Sequence, residues 1–223
     1  MEKSVVLLSG GLDSTVNLYD ARVSTQVVLA LTFDYGQKAA AAELRSAKRI
    51  CDTLGIPHRI LQIPFVREWG TSSLIDEKSQ IPRATEVAID DLAISRNTAR
   101  SVWVPNRNGI LMNIAAGFAE SLGAQWVVPG FNAEEAATFP DNSNEFLHAL
   151  TNSFSFSTAN KVKAACSTVR LNKIEIVKKG ISLGVDFALI WPCYLSGERW
   201  CGSCESCQRT RRAFAALEIP WPA

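Results

Sequence analysis

The amino-acid sequence predicts an α/β fold: a doubly wound, mainly parallel sheet of the Rossmann-like kind, followed by a C-terminal helical region that carries a cysteine cluster. Three observations support this prediction. Short, continuous apolar runs alternate with segments of helix length, which is typical of a parallel sheet covered by helices on both faces. A glycine turn joins the first apolar run to the first helical segment. Four of the 6 cysteines lie close together near the C-terminus.

The apolar runs and the helix signals set the order of the elements. An alanine-rich helix ends at Gly55-Ile56-Pro57. The stretch 64–105, in which Gly, Pro, Ser and Asp are dispersed, is predicted to be irregular and is more typical of a functional loop or lid than of a packing element. The expected strands are 4–8, 27–33, 58–63 and 125–130, and the expected helices are 16–22, 37–54, 108–123, 142–159, 173–184 and 206–217.

The composition is that of a globular protein without a strongly charged surface. The 223 residues can form one full core, and 47% hydrophobic with 20% charged residues is ordinary. A net charge of +1 leaves no electrostatic footprint for nucleic acid, so we expect no nucleic-acid partner. No apolar run approaches the ~20 residues that cross a bilayer, and Met1-Glu2-Lys3 leads into the first strand without a signal peptide. We therefore expect a cytoplasmic protein with no membrane contact, in which thiols stay reduced.

The glycine turn is a candidate phosphate-binding loop. Its sequence, Ser9-Gly10-Gly11-Leu12-Asp13-Ser14, follows a strand and opens a helix. Backbone N–H groups and the positive end of the helix dipole would then point at one anion. Glycine permits the tight turn and lets a phosphate approach the main chain. The spacing and the lysine of a Walker loop are missing. The alternative is a turn that only connects a strand to a helix.

The cysteine cluster has metal-ligand spacing. Cys193, Cys201, Cys204 and Cys207 fall within 15 positions, and the last three follow a Cys-x-x-Cys-x-x-Cys pattern. Four thiolates match the closed tetrahedral shell of structural Zn²⁺; the alternatives are an iron–sulfur cluster, and disulfides or unrelated thiols. A closed shell leaves no position for water, so the zinc would be structural. The expected organisation is a nucleotide-binding domain at 1–190 and a zinc-binding region at 191–223 packed on it.

Seven short motifs follow one another along the chain. They are SGGLDS at 9–14, FDYGQ at 33–37, VPNRN at 104–108, FPD at 139–141, LNKIEI at 171–176, WPCY at 191–194 and CGSCESC at 201–207. Together they resemble the QueC (ExsB) family of 7-cyano-7-deazaguanine synthases. SGGxDS alone marks a superfamily of pyrophosphatase-loop ligases with an adenine nucleotide alpha hydrolase-like fold. The YGQ, VPxRN and cysteine motifs, in this order, are specific to the family.

The resemblance implies an ATP-dependent carbon–nitrogen ligase that releases AMP and pyrophosphate in queuosine-type 7-deazapurine biosynthesis. It would convert 7-carboxy-7-deazaguanine and ammonium to 7-cyano-7-deazaguanine. The acid is adenylated and captured as an amide, whose oxygen a second ATP then activates. Such chemistry needs positioning and charge stabilisation more than covalent catalysis. The resemblance also implies ATP, Mg²⁺ and structural Zn²⁺ as cofactors, and a homodimer.

The resemblance assigns roles to the residues that match its motifs. We expect the Ser9 and Ser14 hydroxyls and the loop amides to bind pyrophosphate, and Asp13 to hold Mg²⁺ or to order the loop. The expected catalytic residues are Asp13, Arg107 and Lys173. The expected nucleotide-binding residues are Leu8, Ser9, Gly10, Gly11, Leu12, Asp13, Ser14, Thr15, Tyr35 and Gln37. The expected substrate-binding residues are Arg107, Asn108, Asn132, Glu135, Phe139 and Asp141.

Several of these residues also have an ordinary structural interpretation. Lys173 could be a solvated lysine at a helix start, and Arg107 a surface arginine. Tyr35 could serve only packing. For Glu135 and Asp141 the alternative is loop solvation and helix N-capping.

One segment departs from the pattern of the family. Where the family commonly has an Asp followed by SGYPDCR, this chain has EAATFPDNS at 135–143. The first acidic residue, the proline and the aspartate are retained, whereas the tyrosine hydroxyl, the cysteine and the arginine are not. This departure motivates one alternative function, a QueC-like ligase that transfers the activated acid to another amine, such as one on a protein. Two further alternatives are a tRNA-thiolating enzyme of the same superfamily and a zinc-stapled ATP-binding module without turnover.

Overall fold

The computed structural model describes residues 1–221, with the exception of the Leu92 side chain, and contains a five-stranded parallel sheet. The strand order is β3-β2-β1-β4-β5, and every neighbouring pair runs parallel. The strands are β1 (Lys3–Leu7), β2 (Gln26–Asp34), β3 (His58–Gln62), β4 (Trp126–Val128) and β5 (Lys163–Ala164). The helices are α1 (Leu12–Ser24), α2 (Ala40–Leu54), α3 (Leu92–Val102), α4 (Arg107–Ser121), α5 (Ala133–Ala136), α6 (Asn144–Ser157), α7 (Lys173–Ser182) and α8 (Glu205–Ala216).

Helices cover both faces of the sheet, because successive residues of the central strands point to opposite sides. On one face, Val5 packs in a core with Met112 of α4 and Phe154 of α6. On the other face, Val6 packs in a core with Val16 of α1 and Ile176 of α7. All of these side chains are fully buried. The predicted doubly wound, mainly parallel sheet is therefore confirmed.

The connection pattern places a ligand site at the end of β1. From β1 the chain moves to β2 and β3 on one side of the sheet and returns to β4 and β5 on the other. Ligands of open α/β sheets bind beyond the carboxyl ends of the strands at such a reversal. The loops that follow β1 and β4, 8–11 and 129–132, meet there. Gly130 is needed for this approach, since a Cβ on it would lie 2.5 Å from the backbone N of Ser14.

The stretch 64–105 is more ordered than the sequence predicts. It contains 3-10 helices at Pro64–Trp69 and Ala84–Glu86 as well as helix α3. The carboxylate of Asp91 caps α3 by accepting hydrogen bonds from the N–H groups of Ala93 and Ile94. The expectation of an irregular stretch was wrong here because the turn-forming residues dispersed through 64–105, among them Pro82 and Pro105, conceal the pattern of α3.

Other differences concern short elements and element ends. Strand β5 has two residues and helix α5 has four, lengths at which neither hydrophobic periodicity nor propensity gives a signal. Helix α1 starts at Leu12, directly after the glycines, rather than at residue 16. Ser143, not Asp141, caps helix α6. The predicted end of α2 is confirmed, because Gly55 adopts a left-handed conformation with φ 64°.

The C-terminal segment is tied to both helical layers. Phe214 of α8 is 1% exposed and belongs to the core that contains α1 and α7. Its ring contacts Phe187 at 5.4 Å between centroids, and the Trp200 and Trp221 rings pack on each other at 4.9 Å. Residues 222 and 223 of the predicted 191–223 region lie outside the described residues. Among the described helices, none has an apolar stretch long enough to cross a membrane.

Candidate active site

The glycine loop joins the carboxyl end of β1 to the first turn of α1. Gly10 has φ 80°, and a Cβ there would lie 2.5 Å from the Ser46 Oγ. Both the backbone conformation and the lack of space therefore require glycine at this position. Ser46 fixes the loop by donating to the Gly10 carbonyl. Within residues 1–221, no side chain forms a capping hydrogen bond at the N-terminus of α1. The hydroxyls of Ser9 and Ser14 lie 3.0 Å apart beside these amides. This arrangement offers uncapped helix N–H groups and two hydroxyls to an anion.

A buried lysine sits opposite the loop. Lys173 is the first residue of α7, and its Nζ donates to Asp13 Oδ2 and, at 3.0 Å, to Glu135 Oε1. Only 3% of its side chain is exposed. Burial alone would lower the pKa of Lys173, but the two carboxylates outweigh it and raise the pKa. Lys173 is therefore a permanent positive charge at the site and not the solvated helix-start lysine of the alternative interpretation.

The two carboxylates that share Lys173 are affected differently. Burial raises the pKa of Asp13, and the positive charge of Lys173 opposes this increase only in part. Burial acts on Glu135 in the same direction, but the charge and hydrogen bond of Lys173 outweigh it and lower the pKa. Asn132 donates to Asp13 Oδ2, whereas Asp13 Oδ1 is buried and has no partner among the described residues. A buried oxygen without a donor is a position that a ligand or a cation can satisfy.

A cluster of ion pairs between Glu134 and α8 contacts the backbone of Lys173. Glu134 Oε1 accepts the backbone N–H of Lys173 at 2.8 Å. Its other oxygen accepts from Arg209 at 2.8 Å and from Arg212 at 2.6 Å, both on α8. Arg209 also pairs with Glu205 at 2.8 Å. The C-terminal helix therefore holds the start of α7, and with it the backbone of Lys173.

A second cation lies on the far side of the cavity. The Arg107 guanidinium donates to Asn108 Oδ1 at 3.1 Å and to the Tyr35 hydroxyl at 3.3 Å, and it lies 5.8 Å from the Tyr35 ring centroid. Burial alone would lower the pKa of Arg107, but Tyr35 and Asp141 outweigh it and raise the pKa. Burial raises the pKa of Asp141. Arg107 thus presents a fixed, partly buried positive charge.

One cavity of about 230 Å³ connects these groups. Most of the residues that the sequence singles out line it; these are Leu8, Ser9, Gly11, Leu12, Asp13, Ser14, Tyr35, Gln37, Arg107, Asn108, Glu135, Phe139 and Lys173. Four of them are not in its wall: Gly10, Thr15, Asn132 and Asp141.

These four residues have positions of their own behind the wall. Thr15 is fully buried and donates its hydroxyl to the Gly11 carbonyl. Asn132 orients Asp13 and caps α5. The carbonyl of Asp141 accepts a hydrogen bond from Asn108. Gly10 forms the loop turn itself, as described above.

The structure also places residues in the wall to which the sequence analysis assigned no role. Glu43 of α2 and Tyr194 of the WPCY segment both line the cavity. Burial raises the pKa of Glu43 to about 7 and also raises the pKa of Tyr194. A signal for Glu43 exists in the sequence, since an acidic residue follows the FDYGQ motif by six residues. Glutamate in a helix usually faces water, so the signal is weak without the structure.

The four cysteines form a candidate metal centre beside the cavity. Their sulfur atoms all lie within 4.8 Å of one another. Cys193 Sγ accepts N–H groups of Leu195 and Cys201 at 3.4 Å each, and Cys201 Sγ accepts that of Cys204 at 3.3 Å. Amide donors to sulfur stabilise thiolates in metal shells. The donor set, four convergent sulfurs, therefore fits a metal such as zinc.

Fold and site together define a class: an α/β protein with an anion-binding loop at the topological switch point of its sheet and a Cys₄ metal centre at its C-terminus. The family model described as queuosine biosynthesis protein QueC matches residues 3–218. A 7-cyano-7-deazaguanine synthase of Bdellovibrio bacteriovorus is 55% identical over 98% of this chain and 95% of its own length. A 7-cyano-7-deazaguanine synthase of Pelotomaculum thermopropionicum is 51% identical over 95% of this chain and 96% of its own length.

The chain belongs to the QueC family. The resemblance drawn from the seven motifs is thereby confirmed, together with the 7-cyano-7-deazaguanine synthase function that it implied. The altered segment 135–143 occurs in a chain that matches synthases along nearly its whole length, so the ligase with another acceptor, the tRNA-thiolating enzyme and the non-catalytic module are not favoured.

Proposed function

We propose that this protein joins 7-carboxy-7-deazaguanine and ammonium at the cost of ATP, and that the cavity between β1, α4 and α7 is where the nitrile is made. The observation that carries the proposal is the single cavity, which brings an uncapped helix N-terminus, Lys173 and Arg107 within reach of one bound molecule. Adenylation needs two positive regions, one for the phosphates and one for the acid. The cavity offers both.

The loop and Lys173 are proposed to bind the polyphosphate. A carboxylate oxygen of the substrate attacks the α-phosphorus of ATP, and the bond to pyrophosphate breaks. Negative charge grows on the departing pyrophosphate, where the amides of α1, the Ser9 and Ser14 hydroxyls and Lys173 would stabilise it. Asp13 Oδ1, which is buried and accepts no hydrogen bond from the part of the chain that the structure describes, fits a Mg²⁺ ligand. Bound Mg²⁺ would neutralise phosphate charge there.

Arg107 is proposed to orient the acid. Its guanidinium is held by Tyr35 and Asn108, so little side-chain entropy is lost when it clamps a carboxylate. The Phe139 ring lies parallel to Trp103 within 7° and offers an apolar wall for a flat heterocycle. The carboxylate of Glu135 could accept ring N–H groups. Asn132 and Asp141 would act from behind the cavity wall, on Asp13 and Asn108 respectively.

The remaining proposals concern the protein as a whole. The Cys₄ centre would hold Zn²⁺ as a structural ion, because four sulfurs complete its shell. Thiolate ligands persist in a reducing compartment, which supports a cytoplasmic location. We also propose a nucleotide-binding domain at 1–190 with the zinc region 191–223 packed on it, and a homodimer, to be tested by sedimentation.

The function is tested by an end-point assay with ATP, Mg²⁺, ammonium and the acid, read by mass spectrometry. We expect nitrile and about two AMP for each nitrile, since two activations are needed. Boiled protein and an assay without ammonium serve as controls. AMP and pyrophosphate without nitrile in the complete mixture would instead support a ligase for another amine.

A further inference from the structure

Among residues 1–221, Glu43 is the one acidic side chain of the cavity wall that forms no salt bridge. The other two acidic residues of the wall, Asp13 and Glu135, both pair with Lys173. The Arg107 guanidinium donates its hydrogen bonds to Tyr35 and Asn108, and none to Glu43 within residues 1–221. A partly buried carboxylate without a salt-bridge partner costs free energy, which either protonation or a bound cation relieves.

The carboxylate of Glu43 is held in a fixed orientation. Gln37 Nε2 donates to Glu43 Oε2 at 2.7 Å and to the carbonyl of Phe33 at 3.0 Å. Gln37 Oε1 accepts the N–H of Tyr35 at 3.0 Å. The amide of Gln37 therefore cannot turn over without losing these bonds. Glu43 Oε1 has no hydrogen-bond donor among the described residues, so one carboxylate oxygen remains available.

The surroundings of Glu43 favour a cation that can give up a proton. Burial raises its pKa to about 7, while the Gln37 hydrogen bond and the charge of Arg107 oppose the shift. Asp34, at the end of β2, and Cys193, from the C-terminal segment, raise it further. Tyr35 lies on the same side, and burial keeps its hydroxyl protonated. A carboxylate in this range can both attract a small cation and accept a proton from it.

We propose that Glu43 forms the ammonium subsite and is the base that converts ammonium to ammonia. This inference deepens the proposed function and rests on it. Glu43 takes one proton from NH₄⁺, leaving NH₃ and a protonated carboxyl group. The nitrogen lone pair forms the C–N bond with the adenylated carboxyl carbon, and the bond between that carbon and the AMP oxygen breaks. The amide keeps two hydrogens, and the third leaves to water as a proton.

Three reactions of the Glu43→Gln variant separate this role from a structural one. The first is ATP–pyrophosphate exchange with the acid and no amine. The second is hydroxamate formation with hydroxylamine, an amine that is mostly uncharged at neutral pH and needs no base. The third is ammonium-dependent product formation at pH 7 and pH 9. Glu145→Gln, on the exposed side of α6, is the matched control.

We expect exchange and hydroxamate formation to stay within about threefold of the unaltered protein. The ammonium-dependent rate at pH 7 should fall at least about 100-fold, the range of general-base contributions. The deficit should shrink at pH 9, because the solution then supplies ammonia. Glu43→Asp, which keeps the charge, should retain part of the rate.

Two results would overturn the ammonium subsite. One is an equal loss in all three reactions, which would mean that Glu43 only holds Gln37. The other is an unchanged ammonium-dependent rate at pH 7. Absence of exchange in the unaltered protein would be a different failure, that of the proposed function itself, and this inference would fall with it.

Discussion

At the scale of the residue, Lys173 is a buried cation that forms ion pairs with two carboxylates. It is held by Asp13 and Glu135, so the folded protein has two negative charges and one positive charge in that corner before any ligand binds. A polyphosphate brings further negative charge, and the amides of α1 must therefore contribute to its binding. Lys173 is positioned by contacts on both sides, through its ammonium group and through its backbone N–H.

Replacement of Lys173 tests its role in the departure of pyrophosphate. We expect Lys173→Gln to lower ATP–pyrophosphate exchange at least about 100-fold, because the variant lacks the charge that we propose to stabilise the departing pyrophosphate. Lys179→Gln is a matched control on the same helix. Lys179 lies outside the cavity wall, and its Nζ is 2.6 Å from Asp20 Oδ1. Comparable exchange rates in the two variants would contradict the assignment.

At the scale of the element, α8 links the Cys₄ centre to the start of α7. Cys207 lies within α8, and Arg209 follows it by two residues and reaches Glu134. Glu134 in turn accepts the N–H of Lys173. A loss of order in the cysteine region should therefore be transmitted to Lys173.

Removal of the metal centre tests this link. We expect Cys204→Ser to lose bound zinc, to melt at a lower temperature and to lose activity, because metal binding and folding of such a region are coupled. Cys51→Ser removes a thiol that is also buried, at 1% exposure, but lies on α2 outside the cluster. Metal content by mass spectrometry should fall only in the first variant, and equal metal content in both would contradict the Cys₄ assignment.

The ion cluster on α8 gives a second prediction at this scale. Arg209→Met should destabilise the protein by about 3–5 kcal/mol, because it leaves the buried carboxylates of Glu205 and Glu134 with less positive charge. Arg211→Met, at an exposed position of the same helix, is the control and should change stability little. Chemical denaturation measures both. A destabilisation below about 1 kcal/mol for Arg209→Met would show that the cluster contributes little.

The sequence predicts some elements better than others for identifiable reasons. The strand β1, the loop 9–14 and the four cysteines are local signals, and they lead directly to the fold class and the metal centre. Strand β5 is too short to give a pattern, and α3 lies in a stretch of turn-forming residues. The contact of Glu134 with Arg209 joins positions 75 residues apart, so no local pattern reveals it. Glu43 looks like an ordinary helix-surface residue until β2 and α4 are placed beside it.

At the scale of the whole molecule, the buried carboxylates have opposite effects on how stability depends on pH: some lose stability as the pH falls, and others as it rises. The pKa values of Glu134 and Glu135 are lowered: burial opposes this, but hydrogen bonds and cations outweigh it. A lowered pKa gives stability that is present above the unfolded-state value, about 4.3, and is lost as the pH falls through the folded-state value. The pKa values of Asp13, Glu43 and Asp141 are raised by burial. These groups bind a proton more tightly in the folded state, so they cost stability as the pH rises from about 4 toward 7.

The two effects together predict that the melting temperature is highest near pH 5 and lower at both pH 3.5 and pH 7.5. The neutral side should depend on Glu43, whose shift to a pKa of about 7 corresponds to at most about 3 kcal/mol. Glu43→Gln should therefore raise the melting temperature by a few degrees at pH 7.5 and leave it nearly unchanged at pH 4, because the glutamate is already protonated there. Glu134→Gln should instead lower stability at pH 7.5 and flatten the acid side. Differential scanning calorimetry of the zinc-loaded proteins across this range measures both curves. A Glu43→Gln curve parallel to that of the unaltered protein would mean that its charge is balanced in the folded state, and the cavity would then have no uncompensated carboxylate with which to attract ammonium.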